Sequence, residues 1–219
     1  MQVGIVSDIH ANLPALEAVL ADMPVVDSLV CAGDLVGYNP WPAEVVERMR
    51  DREVPCVQGN HDRMVASRGN FRGNEMARAG VSYAREQLSA EQVEFLAELP
   101  PDRTLFDGRV KIVHGHPDDP DRYTYPEEFG PGMLGEESVL VLGHTHVQHV
   151  EQTADGIVLN PGSVGQPRDR DPKAAYAVLD LDSKRVETRR VTYDISRVER
   201  AVAAADLPLR TAERLRAGR

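Results

Sequence analysis

The sequence has little cysteine, little lysine and no long apolar run, and each shortage narrows what the chain can be. Only Cys31 and Cys56 occur, each inside an apolar stretch. That usage fits two reduced core thiols in a cytosolic protein rather than a disulfide framework. Facing each other across adjacent strands, the two could also form a single disulfide. At 219 residues the chain can bury enough surface to fold without disulfides or a structural metal. It reads as one sizeable domain over residues 1–219, or at a stretch two small ones. No stretch approaches the roughly 20 apolar residues of a membrane span, and the chain enters a strand without the basic and apolar regions of a leader. A soluble, cytoplasmic protein without a membrane partner is expected. Positive charge is short as well: 25 Lys and Arg stand against 35 Asp and Glu, a net charge of −10, with lysine only at Lys111, Lys173 and Lys184. Such a surface argues against general nucleic-acid binding, which needs basic footing for phosphates. A phosphate ester held through metal ions stays open, because bound cations reverse the local sign.

Repeats, low-complexity tracts and linkers are also missing, so organisation has to be read from periodicity. In the first third, "QVGIVSD", "VVDSLVCAGD" and "VPCVQGNHD" read as buried strands. They alternate with helices over "NLPALEAVLADM", with Asn12 as cap, and "PAEVVERMRDR". This alternation predicts right-handed βαβ units and a parallel sheet. The middle is helical, with Ser89 and Gln92 forming a capping box. Short strands follow, with hairpin turns at Asp107-Gly108 and Asp155-Gly156, and the tail from Asp194 reads as one or two amphipathic helices. Two sheets with helices before and after them suggest a layered α/β sandwich.

What the chain does have is histidine at strand ends. His10, His61, His114, His116, His144, His146 and His149 all fall there, as do Asp8, Asp34, Asn60 and Asp62. Sites in open α/β sheets form outside the carboxyl ends of strands. Burying so many imidazoles and carboxylates without compensation would cost several kcal/mol each, and a pair of divalent cations is the economical compensation. Oxygen and imidazole donors without thiolate suit Mn²⁺, Fe, Zn²⁺, Co²⁺ or Ni²⁺. Asp8, His10 and His146 can hold one ion, Asn60, His114 and His144 the other, with Asp34 between them. Two carboxylates against two dications leave about +2, the charge a phosphate anion needs.

The blocks Asp8-x-His10, Gly33-Asp34, Gly59-Asn60-His61-Asp62, His114 and Gly143-His144-Thr145-His146 resemble, in order and spacing, those of the calcineurin-like metallophosphoesterases. The resemblance runs from residue 2 to about residue 193. The small size and the "NPGSVGQPRD" loop are similar to the compact phosphodiesterase branch of bacteria and archaea. It implies a four-layer αββα sandwich with two mixed β-sheets, and two divalent metal ions on the ligands named above. Mn²⁺ is the first choice, with Ni²⁺, Co²⁺, Fe²⁺ or Zn²⁺ as alternatives. It further implies in-line attack on phosphorus by a hydroxide between the ions. His61 would act near the leaving-group oxygen as general acid or charge stabiliser. The implied function is a phosphoesterase, foremost a phosphodiesterase, acting on a small phosphate-ester substrate. A phosphomonoesterase is the alternative, and a non-enzymatic scaffold such as the family's subunit of the retromer coat is the rival. A homo-oligomer is compatible with all three.

Two departures matter. Gly37 stands where the family's protein phosphatases carry the Asp that orients the histidine, and Asn-His-Asp replaces their Asn-His-Glu. No accessory domain of the nuclease kind is visible. Protein phosphatase and nuclease roles are therefore disfavoured, and His61 is left with Asp62, a main-chain carbonyl or solvent as its orienting partner. Asp62 reads as a brace for the turn, and His149 as a rim residue. His116, Ser163 and Arg168 are candidate substrate contacts, since Arg can grip phosphate bidentately. Tyr38, Asn39 and Trp41 could wall the substrate or simply shape a turn.

Overall fold

The computed structural model describes residues 1–67, 69 and 73–219; positions 68 and 70–72 of the helical middle lie outside them. The opening apolar run forms strand β1 (Gln2–Val6), and Asn12 caps helix α1 (Leu13–Asp22) by accepting the Ala15 amide at 3.2 Å. Strand β2 (Ser28–Cys31) pairs parallel to β1, Val3 opposite Ser28 and Val6 opposite Cys31, and helix α2 (Pro42–Asp51) follows. The expected third strand does not form. Cys56 makes a single parallel bridge to Cys31, and Asn60 opens helix α3 (Asn60–Ala66). Pro55 has no N–H to give to a ladder, so the contact consists of Cys31 N–H to the Pro55 carbonyl and Val57 N–H to the Cys31 carbonyl. The two cysteines are buried free thiols, and a hydrogen bond with Cys56, together with burial, holds the Cys31 pKa well above its ordinary value.

Helix α4 (Glu75–Gln87) is capped by Asn74; in α5 (Ala90–Glu98) Ser89 and Gln92 exchange side-chain bonds of 3.2 and 3.1 Å, the reciprocal pair expected from sequence. Strands β3 (Asp102–Leu105) and β4 (Val110–Val113) follow, then β5 (Val139–Val141), β6 (His149–Gln152), β7 (Ile157–Asn160), β8 (Ala174–Asp180) and β9 (Arg185–Val191). Helices α6 (Ile195–Ala204) and α7 (Arg210–Glu213) come last.

The strands form two mixed sheets, ordered β2-β1-β8-β9 and β3-β4-β5-β7-β6. Period-two alternation sorts their side chains. Val3, Ile5, Ala177 and Leu179 of the first sheet meet Ile112, Val139, Val141 and Leu159 of the second in a buried middle layer. The other face of the first sheet, with Val6, Tyr176 and Val178, packs on Leu16, Val19, Val45 and Met49 of α1 and α2. The outer face of the second sheet is thinner, Leu140 and Val158 being covered by Phe129, Met133 and Leu134 from two 3-10 turns. The αββα order implied by the family resemblance is therefore present, with its last layer reduced to turns. Cutting one of these buried aliphatic side chains to Ala would cost about 2–5 kcal/mol. That rigidity holds the ends of β1, β2, β4 and β5 together, and every polar block sits just beyond one of those ends or at the start of α3.

Candidate metal centre

The strand ends bring the donors into two groups that share one carboxylate. Asp8, His10 and His146 converge in the first; Asp34, His114 and His144 in the second. Asn60 joins the second group, its Oδ1 lying 3.1 Å from His114 Nε2. Asp34 Oδ2 sits 3.6 Å from His10 Nε2 and 3.4 Å from His114 Nε2, between the groups.

Main-chain carbonyls settle which ring nitrogen of each histidine is available. Nδ1–H donates to the Val36 carbonyl from His10 (3.1 Å), to Ala32 from His114 (2.7 Å) and to Gln166 from His146 (2.5 Å). His144 is turned the other way, its Nε2–H donating to the Asp121 carbonyl at 3.2 Å. Nε2 of His10 and His146 and Nδ1 of His144 are thus left as lone-pair donors, and Nε2 of His114, which faces Asp34 and Asn60, joins them once its proton is displaced. This is the arrangement by which outer partners orient metal-binding imidazoles. The consequence is sharpest in the first group, where the bare Nε2 atoms of His10 and His146 lie 3.1 Å apart. Two lone pairs at that separation repel, and His146 Nε2 also faces Asp8 Oδ1 at 3.2 Å. A cation among these atoms removes the repulsion, so the donor set fits divalent metal ions of the imidazole and oxygen-binding kind.

The backbone is bent to make this convergence. Asp8, His10, Asp34, His144 and His146 all have positive φ, between 48° and 67°, at a cost of about 1–3 kcal/mol each. Two glycines let the turns nest. A Cβ at Gly59 would lie 2.1 Å from Asp34 Oδ1, and one at Gly143 would lie 2.2 Å from Ser7 Oγ. The same closeness supplies hydrogen bonds: His61 N–H donates to Asp34 Oδ1 at 2.8 Å, His144 N–H to Asp8 Oδ2 at 3.1 Å, and Ser7 Oγ–H to Asp8 Oδ2 at 2.7 Å. Asn160 ties the His144 loop down through the Gly143 carbonyl (2.6 Å) and the Thr145 hydroxyl (3.1 Å).

Burial and charge divide the titratable groups. Burial works to raise Asp8 and Asp34, yet His146 beside Asp8 and His114 beside Asp34 outweigh it and hold both carboxyls below their usual range. Burial drives His10, His146 and His144 down, His144 to about 4. His114 goes the other way, because the Asp34 charge and hydrogen bond overcome burial and lift it to about 10. Without a cation, the proton on His114 is the counter-charge of Asp34.

The remaining candidates separate by position. His61 is buried, its ring 4.9 Å from that of His10 and 4.7 Å from that of Tyr38, and one of its ring nitrogens also comes within reach of Asp34 and His10. Burial lowers it to about 4. A Cβ at Gly37 would lie 2.5 Å from His61 Nδ1, so the ring occupies the space beside the position where an orienting Asp was missed. Asp62 turns elsewhere: its carboxylate accepts the Gly59 amide at 3.0 Å and the Val36 amide at 3.2 Å. It braces two loops, while burial and then the Asp34 charge raise its pKa to about 7. Ser163 lies fully buried, its hydroxyl donating to the Asp8 carbonyl and accepting the Gln166 amide, each at 2.7 Å. The expected substrate contact is thus engaged in holding the loop. His116 accepts the Asp118 amide at 3.2 Å inside its own turn, and His149 sits beside Glu151 at 3.5 Å on β6. Asn39 is spent on the His10 carbonyl (2.9 Å) and Trp41 lies under Arg197, whereas Tyr38 lines the open cleft.

That cleft, about 590 Å³, is bordered by Tyr38, Asn60, His61, Arg63, Tyr123 and His144. Tyr123 was not singled out in the sequence, although its ring stacks 3.8 Å from that of His144. It comes from the irregular segment between β4 and β5, where no periodicity marks a contact. The one signal was two tyrosines close together in "RYTYP".

Residues 1–184 match the model of the calcineurin-like phosphoesterase superfamily domain, and the chain belongs to that family. Membership places it among the phosphoester hydrolases that use divalent metal ions. A metallophosphoesterase from Sphaerobacter thermophilus shares 35% identity and a TM-score of 0.85, over 100% of this chain and 99% of that one. The uncharacterized protein MJ0912 of Methanocaldococcus jannaschii is 31% identical over 99% of this chain and 98% of its own. The phosphodiesterase YfcE of Escherichia coli is 29% identical over 83% of this chain and 89% of its own.

Proposed function

We propose that the chain is a dinuclear metal-dependent phosphoesterase whose leading substrates are phosphodiesters. The observation that carries this reading is Asp34 Oδ2, placed between His10 Nε2 and His114 Nε2 at 3.6 and 3.4 Å. One carboxylate oxygen serving two imidazole groups is the geometry of a shared ligand. Asp8, His10 and His146 would hold one ion and Asn60, His114 and His144 the other. Bound there, two divalent cations supply Lewis acidity toward the phosphoryl oxygens and lower the pKa of water to make a nucleophile near neutral pH.

The protein's own groups account for the rest. Asn60 offers a neutral oxygen, which leaves more positive charge for the phosphate than a carboxylate would. His61 stands at the cleft and is neutral at pH 7; its N–H can donate to the leaving oxygen as bond cleavage develops charge there. Tyr38 and Tyr123 form the walls beside it. The printed name of YfcE supports the diester preference, and an arginine beside the donors, Arg168, favours monoesters as a second reading. The test is hydrolysis of bis-p-nitrophenyl phosphate and p-nitrophenyl phosphate by protein loaded with Mn²⁺, Co²⁺, Ni²⁺ or Zn²⁺. Turnover of the diester is expected, and failure with every metal on both esters would overturn the reading in favour of a scaffold.

A further inference from the structure

Arg168 differs from several other arginines in how its charge is met. Arg63 pairs with Asp121, Arg122 with Glu128, Arg190 with Asp169 and Arg216 with Glu199. Arg168 has no carboxylate partner among the described residues. Its Nε and Nη2 donate to the neutral Gln166 Oε1 at 3.2 and 2.8 Å, and Nη2 reaches the Tyr38 hydroxyl at 3.4 Å. In a chain with 35 acidic against 25 basic side chains, a guanidinium facing only neutral partners beside a cation-binding donor set is costly. The adjacent Asp169, which could have neutralised it, is committed to Arg190. An anionic substrate is the partner that would make the arrangement favourable.

The guanidinium is also held in a defined place. Gln166, which fixes it through Oε1, fixes His146 through its main-chain carbonyl at 2.5 Å, and the Arg168 amide donates to the His146 carbonyl at 3.3 Å. One short loop therefore positions both a donor of the first group and the positive charge. The guanidinium carbon lies 6.0 Å from the centroid of the Tyr38 ring, which in turn stands 4.8 Å from the His10 ring and 4.7 Å from the His61 ring.

We propose that Arg168 is the specificity-determining residue of the centre, gripping the phosphoryl substituent that faces neither donor group nor leaving group, and so admitting phosphomonoesters alongside diesters. This rests on the reading of the centre given above. Tetrahedral phosphorus turns two oxygens to the two donor groups and its leaving oxygen to His61. One substituent is left. In a monoester it is an anionic oxygen, which guanidinium binds through charge-assisted hydrogen bonds. In a diester it is an ester oxygen without that charge. Arg168 therefore has much to bind in one substrate class and little in the other.

The test compares wild type, Arg168→Gln and Arg168→Lys, each loaded with the same metal and checked for equal metal content. Binding of inorganic phosphate and of dimethyl phosphate is measured by calorimetry, and kcat/KM is measured on the two nitrophenyl esters. In Arg168→Gln, phosphate affinity and monoester kcat/KM are expected to fall about 10- to 100-fold, the range of a hydrogen bond to a charged group. Dimethyl phosphate affinity and diester kcat/KM should fall far less, and Arg168→Lys should lie between, because it keeps the charge and loses the fork. Equal losses for both classes, no loss for either, or loss of metal from the variant would overturn the proposal. The binding arm separates this proposal from the reading beneath it. Selective loss of phosphate affinity sustains the role of Arg168 even where neither ester is turned over.

Discussion

The two donor groups are built from nearly the same residue types and live in different surroundings. Asp8, His10 and His146 are sealed, none of them bordering the cleft, whereas Asn60 and His144 of the second group line it. Burial leaves all the imidazoles of the first group neutral; in the second, Asp34 keeps His114 charged. The sealed group relies on neighbouring loops for orientation, through the Val36 and Gln166 carbonyls, while His144 of the open group leans on Asp121 and Tyr123 at the rim. The difference teaches that nearly interchangeable ligand types acquire different exposure and charge from the loops that hold them.

The strongest way to break the comparison is to remove what the groups share. Asp34→Ala should abolish binding of both ions in elemental analysis and lower kcat by about 10³-fold or more, several kcal/mol of barrier. Loss of only one ion would mean the groups are independent. Next in size, His61→Ala should keep both ions and lower kcat by about 10²- to 10³-fold, the range for removing one hydrogen-bond donor to developing charge. Loss of metal in that variant would make His61 a ligand, as its approach to Asp34 and His10 allows.

The smallest effect sharpens the electrostatic contrast. In metal-free protein the His114 pKa is raised to about 10 from an unfolded value of about 6.5. Its proton therefore stabilises the fold fully below about pH 6.5, and that contribution is lost as pH rises through about 10. With chelator present, the difference in urea midpoint between wild type and His114→Gln should be largest near pH 6 and fade toward pH 10. A difference that grew with pH would show His114 to be neutral in the apo protein.

The candidate ligands were legible in the sequence because each is a polar residue following an apolar run, and that pattern is local. The helix caps were legible for the same reason: Asn12, Ser89 and Gln92 act on amides three residues away or fewer. The strand at "VPCVQ" was misread because apolar character does not show how many partners a segment finds, and Pro55 lets only one bridge form. Ser163 looked like a substrate contact because its loop is polar, yet the packing of Gly165 on Ile9 and the bond to the Asp8 carbonyl draw it beneath the centre. Tyr123 was overlooked because a contact between an irregular loop and His144 has no sequence period.

By itself, then, the sequence determined a layered α/β sandwich and the chemical inventory of the centre, since both follow from periodicity and from which residue types end each run, while the αββα order came with the family resemblance. Only the tertiary structure decided the rest. Backbone turns at positive φ and carbonyls from distant loops chose which nitrogen of each histidine faces the donor groups. The packing of loops far apart in the chain set Asp34 between the two groups and left Arg168 facing only neutral partners. Those choices depend on distances between segments, which residue order does not encode until the sheets have packed.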